Sequence, residues 1–185
     1  MTADGTGDDE VQVFRQEQSV LVESIFWDAA AELVHWTDIT LGLLKSGSLD
    51  GAEDGSDDRS RRVPPPLASF QPAGAGFVAA LDDRVVRLDG DGAIVETVAE
   101  LPHRHDEMRM NEGKCDPFGS FVVGSMNVRD GEPDGRIYRV RDDGAVEVLV
   151  DRITVANGFE WSDDGRTFYF TDTGATTVYL SLIHI

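Results

Sequence analysis

The sequence is short of cysteine and of positive charge. Its single thiol, Cys115, cannot form an internal disulfide, so the fold does not depend on an oxidising compartment. Lys and Arg together number 16, against 35 Asp and Glu, and the formal net charge at pH 7 is −19. Such an excess of negative charge repels phosphate backbones and anionic lipids, so we expect neither nucleic acid nor a membrane surface as a partner.

Long apolar runs and a secretory leader are also missing. No window of the sequence approaches the roughly 18 consecutive apolar residues of a transmembrane helix. The first ten residues have neither a basic segment nor an apolar one, which favours a cytoplasmic location. Hydrophobic residues nevertheless make up 41% of the 185 residues, enough to bury a sizeable core.

Two acidic, glycine-containing segments have little to bury. Residues 1–10 lack hydrophobic periodicity, and we expect them to form a disordered acidic tail. Residues 46–62 are rich in Asp, Gly and Ser, and a solvated loop is expected there. Strand-like patterns resume on both sides of this loop, so residues 11–179 are expected to form one domain, with a domain boundary at the loop as the alternative.

The rest of the chain alternates short runs of Val, Ile, Phe and Tyr with Asp-Gly and other turns, which is typical of an all-β meander. A helix over residues 12–22 is the one helical alternative. Strands are predicted at residues 33–39, 76–81, 84–88, 93–98, 120–125, 136–140, 146–150 and 167–172.

The strands belong to a repeating unit. Trp27 precedes Asp38 by the same separation at which Trp161 precedes Asp172, with a turn and an apolar strand between them in both copies. Similar turns lie near positions 30, 74, 119 and 165, a period of about 45 residues. Four short strands per period are typical of the blades of a β-propeller, and about four such units fit this length. The three tryptophans, including Trp36, are predicted to lie in the core.

Residues suited to chemistry are concentrated in three segments. Residues 109–126 read Arg-Met-Asn-Glu-Gly-Lys-Cys-Asp-Pro-Phe-Gly-Ser-Phe-Val-Val-Gly-Ser-Met. This run resembles the R-x-N-D-G-K-x-D-P-x-G-x-x-x-x-G-T-M signature of the gluconolactonase, regucalcin and luciferin-regenerating enzyme family. Residues 22–28 resemble the family's G-E-G-P-x-W-D opening, and residues 156–172 its N-G-x-x-W-S-x-D-x-x-x-x-Y-x-x-D segment. The three motifs occur in the family's order.

The resemblance implies a six-bladed all-β propeller that binds one divalent cation at the mouth of its central tunnel and hydrolyses a sugar lactone. Glu23 aligns with the family's metal-binding glutamate and Asn157 with its metal-binding asparagine. Arg109 and Asn111 align with residues that hydrogen-bond the sugar. Ca²⁺ and Zn²⁺ are the cations commonly found in the family, with Mg²⁺ or Mn²⁺ as alternatives. The carboxylate of Glu23 and the amide carbonyl of Asn157 are hard oxygen donors, which suit Ca²⁺ and Mg²⁺ best.

The resemblance also implies that part of the site lies elsewhere. A third ligand, an aspartate that would act as the general base, is expected beyond residue 185, so no catalytic residue is assigned and this N-terminal portion is expected to be inactive alone. Residues 180–185 resemble the translation of a sequencing adapter and are expected to be a non-native tail, with an ordinary strand end as the alternative. A non-catalytic propeller that binds calcium or a small molecule, or serves as a scaffold, is the alternative function.

Other residues have simpler interpretations. Glu112 replaces the aspartate of the family signature with a side chain that is one methylene longer. Cys115 has no Cys-His-Asp spacing around it and is predicted to be a buried thiol at a strand end. His103 and His105 are expected to be solvated in a charged loop. The Asp-rich turns at 89–92 and 142–144 lack the spacing of a calcium-binding loop.

Overall fold

The computed structural model describes residues 11–182, so the acidic tail expected at 1–10 and the residues 183–185 lie outside the described part. Every regular element within 11–182 is a β-strand. The strands are β1 (Val22–Asp28), β2 (Leu33–Asp38), β3 (Leu43–Gly47), β4 (Arg59–Arg62), β5 (Leu67–Ala73), β6 (Gly76–Leu81), β7 (Arg84–Leu88), β8 (Ile94–Glu100), β9 (Met108–Cys115), β10 (Phe121–Asn127), β11 (Gly135–Val140), β12 (Val146–Ile153), β13 (Ala156–Trp161), β14 (Thr167–Asp172) and β15 (Thr177–Leu182).

Consecutive strands pair antiparallel into four separate sheets. Three sheets have four strands, β1–β4, β5–β8 and β9–β12, and the fourth has three, β13–β15. We call them blades 1 to 4. The first strands of neighbouring blades pack against one another, since β5 contacts both β1 and β9, and β9 contacts β13. This arrangement is a β-propeller with its first strands at the centre, and the predicted period of about 45 residues is the length of one blade.

All eight predicted strands are present, with ends shifted by at most three residues. The helix considered over residues 12–22 is wrong, because residues 12–21 are irregular and β1 begins at Val22. The four first strands were not predicted. Each contains a shift in register, which is a β-bulge that breaks the period-two alternation of side chains.

The solvated loop expected at 46–62 needs correction. The interval ends in a strand, because Arg59–Arg62 pairs with β3. The preceding loop is fastened to the N-terminal segment: Arg15 Nη2 forms a buried ion pair of 2.8 Å with Asp58 Oδ1. Leu180–Leu182 continue β15 in register with β14, as in the strand end given as the alternative, and the non-native origin of residues 180–185 stays a prediction.

The core consists of apolar clusters between neighbouring blades. Leu67 and Phe70 of blade 2 pack with Leu44 of blade 1, and Met110 and Phe121 of blade 3 pack against blade 2. A third cluster joins blades 3 and 4 and includes Val122, Ile137, Phe159, Trp161 and Phe168. Burial of this apolar area is the main stabilising contribution to the fold.

The tryptophans do not all lie in this core. Trp36 and Trp161 are buried as predicted, but Trp27 is 47% exposed, so its assignment to the core is wrong. Trp27 and Trp161 occupy equivalent positions of the repeat but differ in exposure, because Trp161 stacks on Phe168 within the cluster between blades 3 and 4. No helix long and apolar enough to cross a bilayer occurs within residues 11–182.

Candidate metal and substrate site

Three of the four predicted site residues occupy the same place in their blades. In blades 1, 3 and 4 the first residue of the first strand pairs with the last residue of the second, as in Ala156↔Asp172. Glu23, Arg109 and Asn157 are each the second residue, opposite Thr37, Met126 and Thr171. Because the first strands surround the centre of the propeller, these three side chains belong to one end of its central region.

A bulge follows each of these positions. The register shifts between Glu23 and Phe26 in blade 1, and between Asn157 and Glu160 in blade 4. Ser24 and Gly158, the residues directly after the predicted ligands, have positive φ angles of 55° and 61°. A bulge of this kind inserts an extra residue and changes the direction of nearby side chains, which is why bulges are common next to active sites.

Buried carboxylates fix the entry to the first strands of blades 1 and 4. Asp172 accepts hydrogen bonds from the backbone N–H groups of Thr154 at 2.8 Å and Val155 at 2.9 Å. Asp38 does the same in blade 1, where its Oδ2 accepts the N–H of Val20 at 2.7 Å. The chain therefore enters β1 and β13 in the same way, and the residues that follow are placed alike.

A chain of hydrogen bonds joins blade 3 to blade 4. Arg109 Nη1 donates to Asn111 Oδ1 at 2.7 Å. Asn111 Nδ2 donates in turn to Asn157 Oδ1 at 3.0 Å and to the Ala156 carbonyl at 2.9 Å. Asn157 Nδ2 donates to Thr173 Oγ1 at 2.9 Å, so the amide oxygen of Asn157 faces Asn111. Asn111 is only 1% exposed, so its amide has little freedom to rotate.

Two carboxyl groups share this poorly hydrated region with one guanidinium. Burial raises the pKa of Glu23, and the positive charge of Arg109 opposes the rise. Burial also lowers the pKa of Arg109, which Glu23 counteracts. The pKa of Glu112 is raised mainly by burial and further by the charge of Glu23, while the hydrogen bond that the Gly113 amide donates lowers it.

The residues present fit a hard divalent cation. Glu23 offers a carboxylate and Asn157 an amide oxygen, and both are ligands that Ca²⁺ and Mg²⁺ prefer over Zn²⁺. A bound cation would also offset the cost of holding the Glu23 carboxylate partly out of water. Residues 11–182 contain no group of three or more His, Cys, Asp or Glu that could hold a metal, so this part of the chain supplies two candidate ligands rather than a complete set.

Comparison with known proteins identifies the family of the chain. The family model described as the SMP-30/gluconolactonase/LRE-like region matches residues 21–182, most of the chain. The chain belongs to this family. The 6-deoxy-6-sulfogluconolactonase of Pseudomonas putida is 30% identical over 165 residues, which cover 89% of this chain and 55% of the relative. The regucalcin of Danio rerio is 33% identical over 105 residues, or 56% of this chain and 35% of that protein.

Solved structures of other proteins share the fold of the chain. The calcium-binding regucalcin of Agrobacterium tumefaciens superimposes with a TM-score of 0.77 at 24% identity, covering 90% of this chain and 55% of that one. A luciferin-regenerating enzyme gives a TM-score of 0.75 at 23% identity, covering 90% of this chain and 57% of the enzyme. The chain thus spans little more than half the length of these proteins.

The structure brings the predicted residues together. Arg109, Asn111 and Asn157 form one hydrogen-bonded chain, and Glu23 lies within electrostatic reach of Arg109. Their roles as ligands and sugar contacts stay predictions. Glu112 belongs to the same cluster, which the sequence signalled only as a departure from the family signature.

The other candidate residues lie apart from the cluster. His103 and His105 are half-buried and keep some contact with solvent: His103 Nε2 lies 2.9 Å from the Asp82 carbonyl oxygen, and His105 Nε2 lies 3.3 Å from Asp134 Oδ2. Cys115 ends β9, at the opposite end of the strand from Arg109, and burial raises the pKa of its thiol to about 11. A thiol with so high a pKa is a poor nucleophile near neutral pH, as the sequence predicted.

Proposed function

We propose that the protein containing this chain hydrolyses a sugar lactone with the help of one divalent cation, which Glu23 and Asn157 would help to bind. One observation supports this proposal above the others. Glu23, Arg109 and Asn157 come from equivalent positions of three blades, and the last two are joined through Asn111. A carboxylate, a guanidinium and two amides thus lie at one end of the central region, where a propeller without a binding site would not need polar groups of this kind.

The residues of the chain would bind and orient the reactants. When bound, a divalent cation supplies Lewis-acid polarisation of a carbonyl and lowers the pKa of a bound water. Arg109 commits Nη1 to Asn111 Oδ1 and to the Met110 carbonyl, which leaves donors on Nε and Nη2 for the hydroxyls of a sugar ring. The general base would be the aspartate that the family resemblance places beyond residue 185.

The names of relatives support the substrate class. The Pseudomonas putida relative is named a lactonase of a sulfonated gluconolactone, and a structural neighbour from Xanthomonas campestris is named a gluconolactonase. Sugar lactones are small and rich in hydroxyls, which suits the hydrogen-bonding residues of this site. The net charge of −19 disfavours nucleic acid and anionic membranes as partners.

A non-catalytic cation-binding propeller is the second candidate. Its support is that Glu23 and Asn157 offer oxygen atoms suited to a cation, and that a solved structure with the same fold, the regucalcin of Agrobacterium tumefaciens, is described as a calcium-binding protein. The two candidates differ in one property, since only the first requires a lactone to be opened.

The test measures both properties on the product of the full reading frame. Lactone opening is followed by acid release, with and without a chelator, and Ca²⁺ binding is followed by calorimetry. We expect Glu23→Gln and Asn157→Ala to weaken Ca²⁺ binding and to lower activity by on the order of 100-fold or more, since the first removes the negative charge of a ligand and the second removes a ligand oxygen. Glu100→Gln makes the same charge change on an exposed outer strand and should alter neither.

Each outcome has a distinct meaning. Cation-dependent turnover that both variants lose supports the lactonase. Cation binding without any lactone opening supports the binding protein instead. Cation binding that Glu23→Gln and Asn157→Ala leave unchanged would refute the proposed site for either function.

A further inference from the structure

The side chain of Asn111, which the family resemblance assigns to the sugar, has its donors occupied by the protein. Its Oδ1 accepts Arg109 Nη1 at 2.7 Å. Its Nδ2 donates to the Ala156 carbonyl at 2.9 Å and to Asn157 Oδ1 at 3.0 Å. A side-chain amide has only two hydrogens to donate, and both have partners here. Because Asn111 is also 1% exposed, it has no donor left for a ligand.

Two of these partners determine which way round the Asn111 amide lies. A guanidinium can only donate, so the atom of Asn111 next to Arg109 must be the oxygen. A backbone carbonyl can only accept, so the atom next to Ala156 must be the nitrogen. Turning the amide over would break both bonds and leave buried polar groups without partners, which is strongly unfavourable.

The fixed amide of Asn111 determines the orientation of Asn157 in turn. Because the second N–H of Asn111 points at Asn157, that residue must present its oxygen there. On its other side Asn157 Nδ2 donates to Thr173 Oγ1 at 2.9 Å. A hydroxyl can accept or donate, so Thr173 would tolerate either end of the amide. Of these two partners, only Asn111 distinguishes the oxygen of Asn157 from its nitrogen.

We infer that Asn111 is a positioning residue that selects the orientation of the Asn157 amide, rather than a contact of the sugar. An amide oxygen has two lone pairs, so Asn157 Oδ1 can accept from Asn111 and still bind a cation. The NH₂ group of an amide that was turned over could not bind one. That Asn157 binds a cation rests on the proposed function, but the orientation of its amide does not.

Asn111→Asp keeps the shape of the side chain and replaces its donor by an acceptor. Arg109 can still donate to the carboxylate, but the Ala156 carbonyl and Asn157 Oδ1 lose the N–H groups that face them. We expect the Asn157 amide to turn over in this variant. Its Nδ2 would then donate to the new carboxylate, and its Oδ1 would accept from the Thr173 hydroxyl.

Thr173→Val and Gln71→Glu are the comparison variants. Thr173→Val removes the other hydrogen bond of Asn157 and leaves Asn111 in place, so the amide should keep its orientation. Because Thr173 is exposed, this variant should fold even if Asn111→Asp does not. Gln71→Glu makes the same change from amide to carboxylate at a half-buried position of β5, away from the beginning of that strand, and should have no effect.

The first measurement is the orientation of the Asn157 amide by NMR, in the cation-free product of the full reading frame. Nuclear Overhauser effects from the Asn157 Nδ2 hydrogens should reach the Thr173 methyl group in the wild type and in Gln71→Glu. In Asn111→Asp we expect them to reach the β hydrogens of residue 111 instead, and in Thr173→Val to stay on residue 173. Unaltered amide exchange at Val122 and Ile137, in the core between blades 3 and 4, shows that the variants are folded.

The second measurement is the affinity for Ca²⁺, by calorimetry without any lactone. Charge and orientation predict opposite results for Asn111→Asp. An added negative charge by itself strengthens Ca²⁺ binding, whereas an Asn157 amide that is turned over weakens it. We expect Asn111→Asp to lower the affinity about 10-fold or more, as for residues that orient a metal ligand, and Thr173→Val to lower it less.

The inference is overturned if Asn111→Asp leaves the Asn157 amide in its original orientation, or if Thr173→Val turns it over. It is also overturned if Asn111→Asp binds Ca²⁺ as tightly as the wild type and only raises the KM for a lactone, because Asn111 would then be a sugar contact. An amide that turns over in a protein that binds no Ca²⁺ at all would refute the proposed function and support the positioning role.

Discussion

His35 makes the stability of this protein sensitive to mild acid. Its imidazole is 3% exposed and stacks on Phe26, with ring centroids 4.9 Å apart and planes at 8°. Neither ring nitrogen has a hydrogen-bond partner among residues 11–182, and the nearest carboxylate oxygen, Asp28 Oδ2, lies 3.9 Å from Nε2. Burial lowers the pKa of His35 below its ordinary value of 6.5; Asp28 opposes this effect, and Arg61 adds to it.

The sign of the effect follows from which state binds more protons. The unfolded chain takes up a proton on His35 near pH 6.5, and the folded protein does so only at lower pH. Stability contributed by the neutral ring is thus fully present above pH 6.5 and is lost as the pH falls through the folded pKa. One proton can change the free energy of unfolding by at most about 1.4 kcal/mol per pH unit in this window.

The measurement is urea unfolding of the wild type and of His35→Phe between pH 7.5 and 5. The phenylalanine keeps the stacking on Phe26 and removes the titration. Below pH 6.5 the wild type should therefore lose stability relative to the variant, by up to about 1.4 kcal/mol per pH unit. Carboxylates titrate in both proteins and cancel in the difference. An identical pH dependence in both proteins would show that His35 is not held neutral.

Three other predictions follow from single contacts. Asp172→Ala should lower the free energy of unfolding by about 3 kcal/mol in urea, since the carboxylate accepts the Thr154 and Val155 amides; an effect under about 1 kcal/mol would contradict this role. Gly124→Ala should cost about 1–3 kcal/mol in the same assay because its methyl group would overlap the Ala156 Cβ, and unchanged stability would mean that the blades can separate. With a pKa of about 11, only about 0.1% of the Cys115 thiol is ionised at pH 8, so iodoacetamide should label it far more slowly in the folded protein than in urea; equal rates would refute the burial.

The sequence predicted the strands that contain short apolar runs between turns. The second strands of blades 2 and 3 contain apolar runs such as Phe121–Val123, which pack between blades. Such a run indicates a strand from the sequence alone, without knowledge of the neighbouring strands. First strands were missed because a bulge and polar site residues such as Asn111 interrupt their alternation. β4 was missed because its sequence, Arg59–Arg62, has no apolar residue and is a strand only through its pairing with β3.

The candidate site was predictable from signatures and only partly from physics. The motifs selected Glu23, Arg109, Asn111 and Asn157, but no spacing along the chain shows that Asn111 reaches Asn157. That contact depends on how closely blades 3 and 4 pack. For the same reason Glu112 could be noted as a departure from the signature, but its place beside Glu23 could not be predicted.

The clusters between the blades have an effect beyond stability, because the candidate ligands are carried by different blades. The separation of Glu23 from Asn157 is determined by the thickness of the side-chain layers that keep neighbouring sheets apart, and closely packed layers of this kind transmit small changes in volume. Enlarging or trimming a residue of these layers, such as Val122, would therefore widen or narrow the space between the candidate ligands. If the proposed cation binds there, the preference of the site for ions of different radius would depend on residues of the protein interior as well as on the ligands themselves.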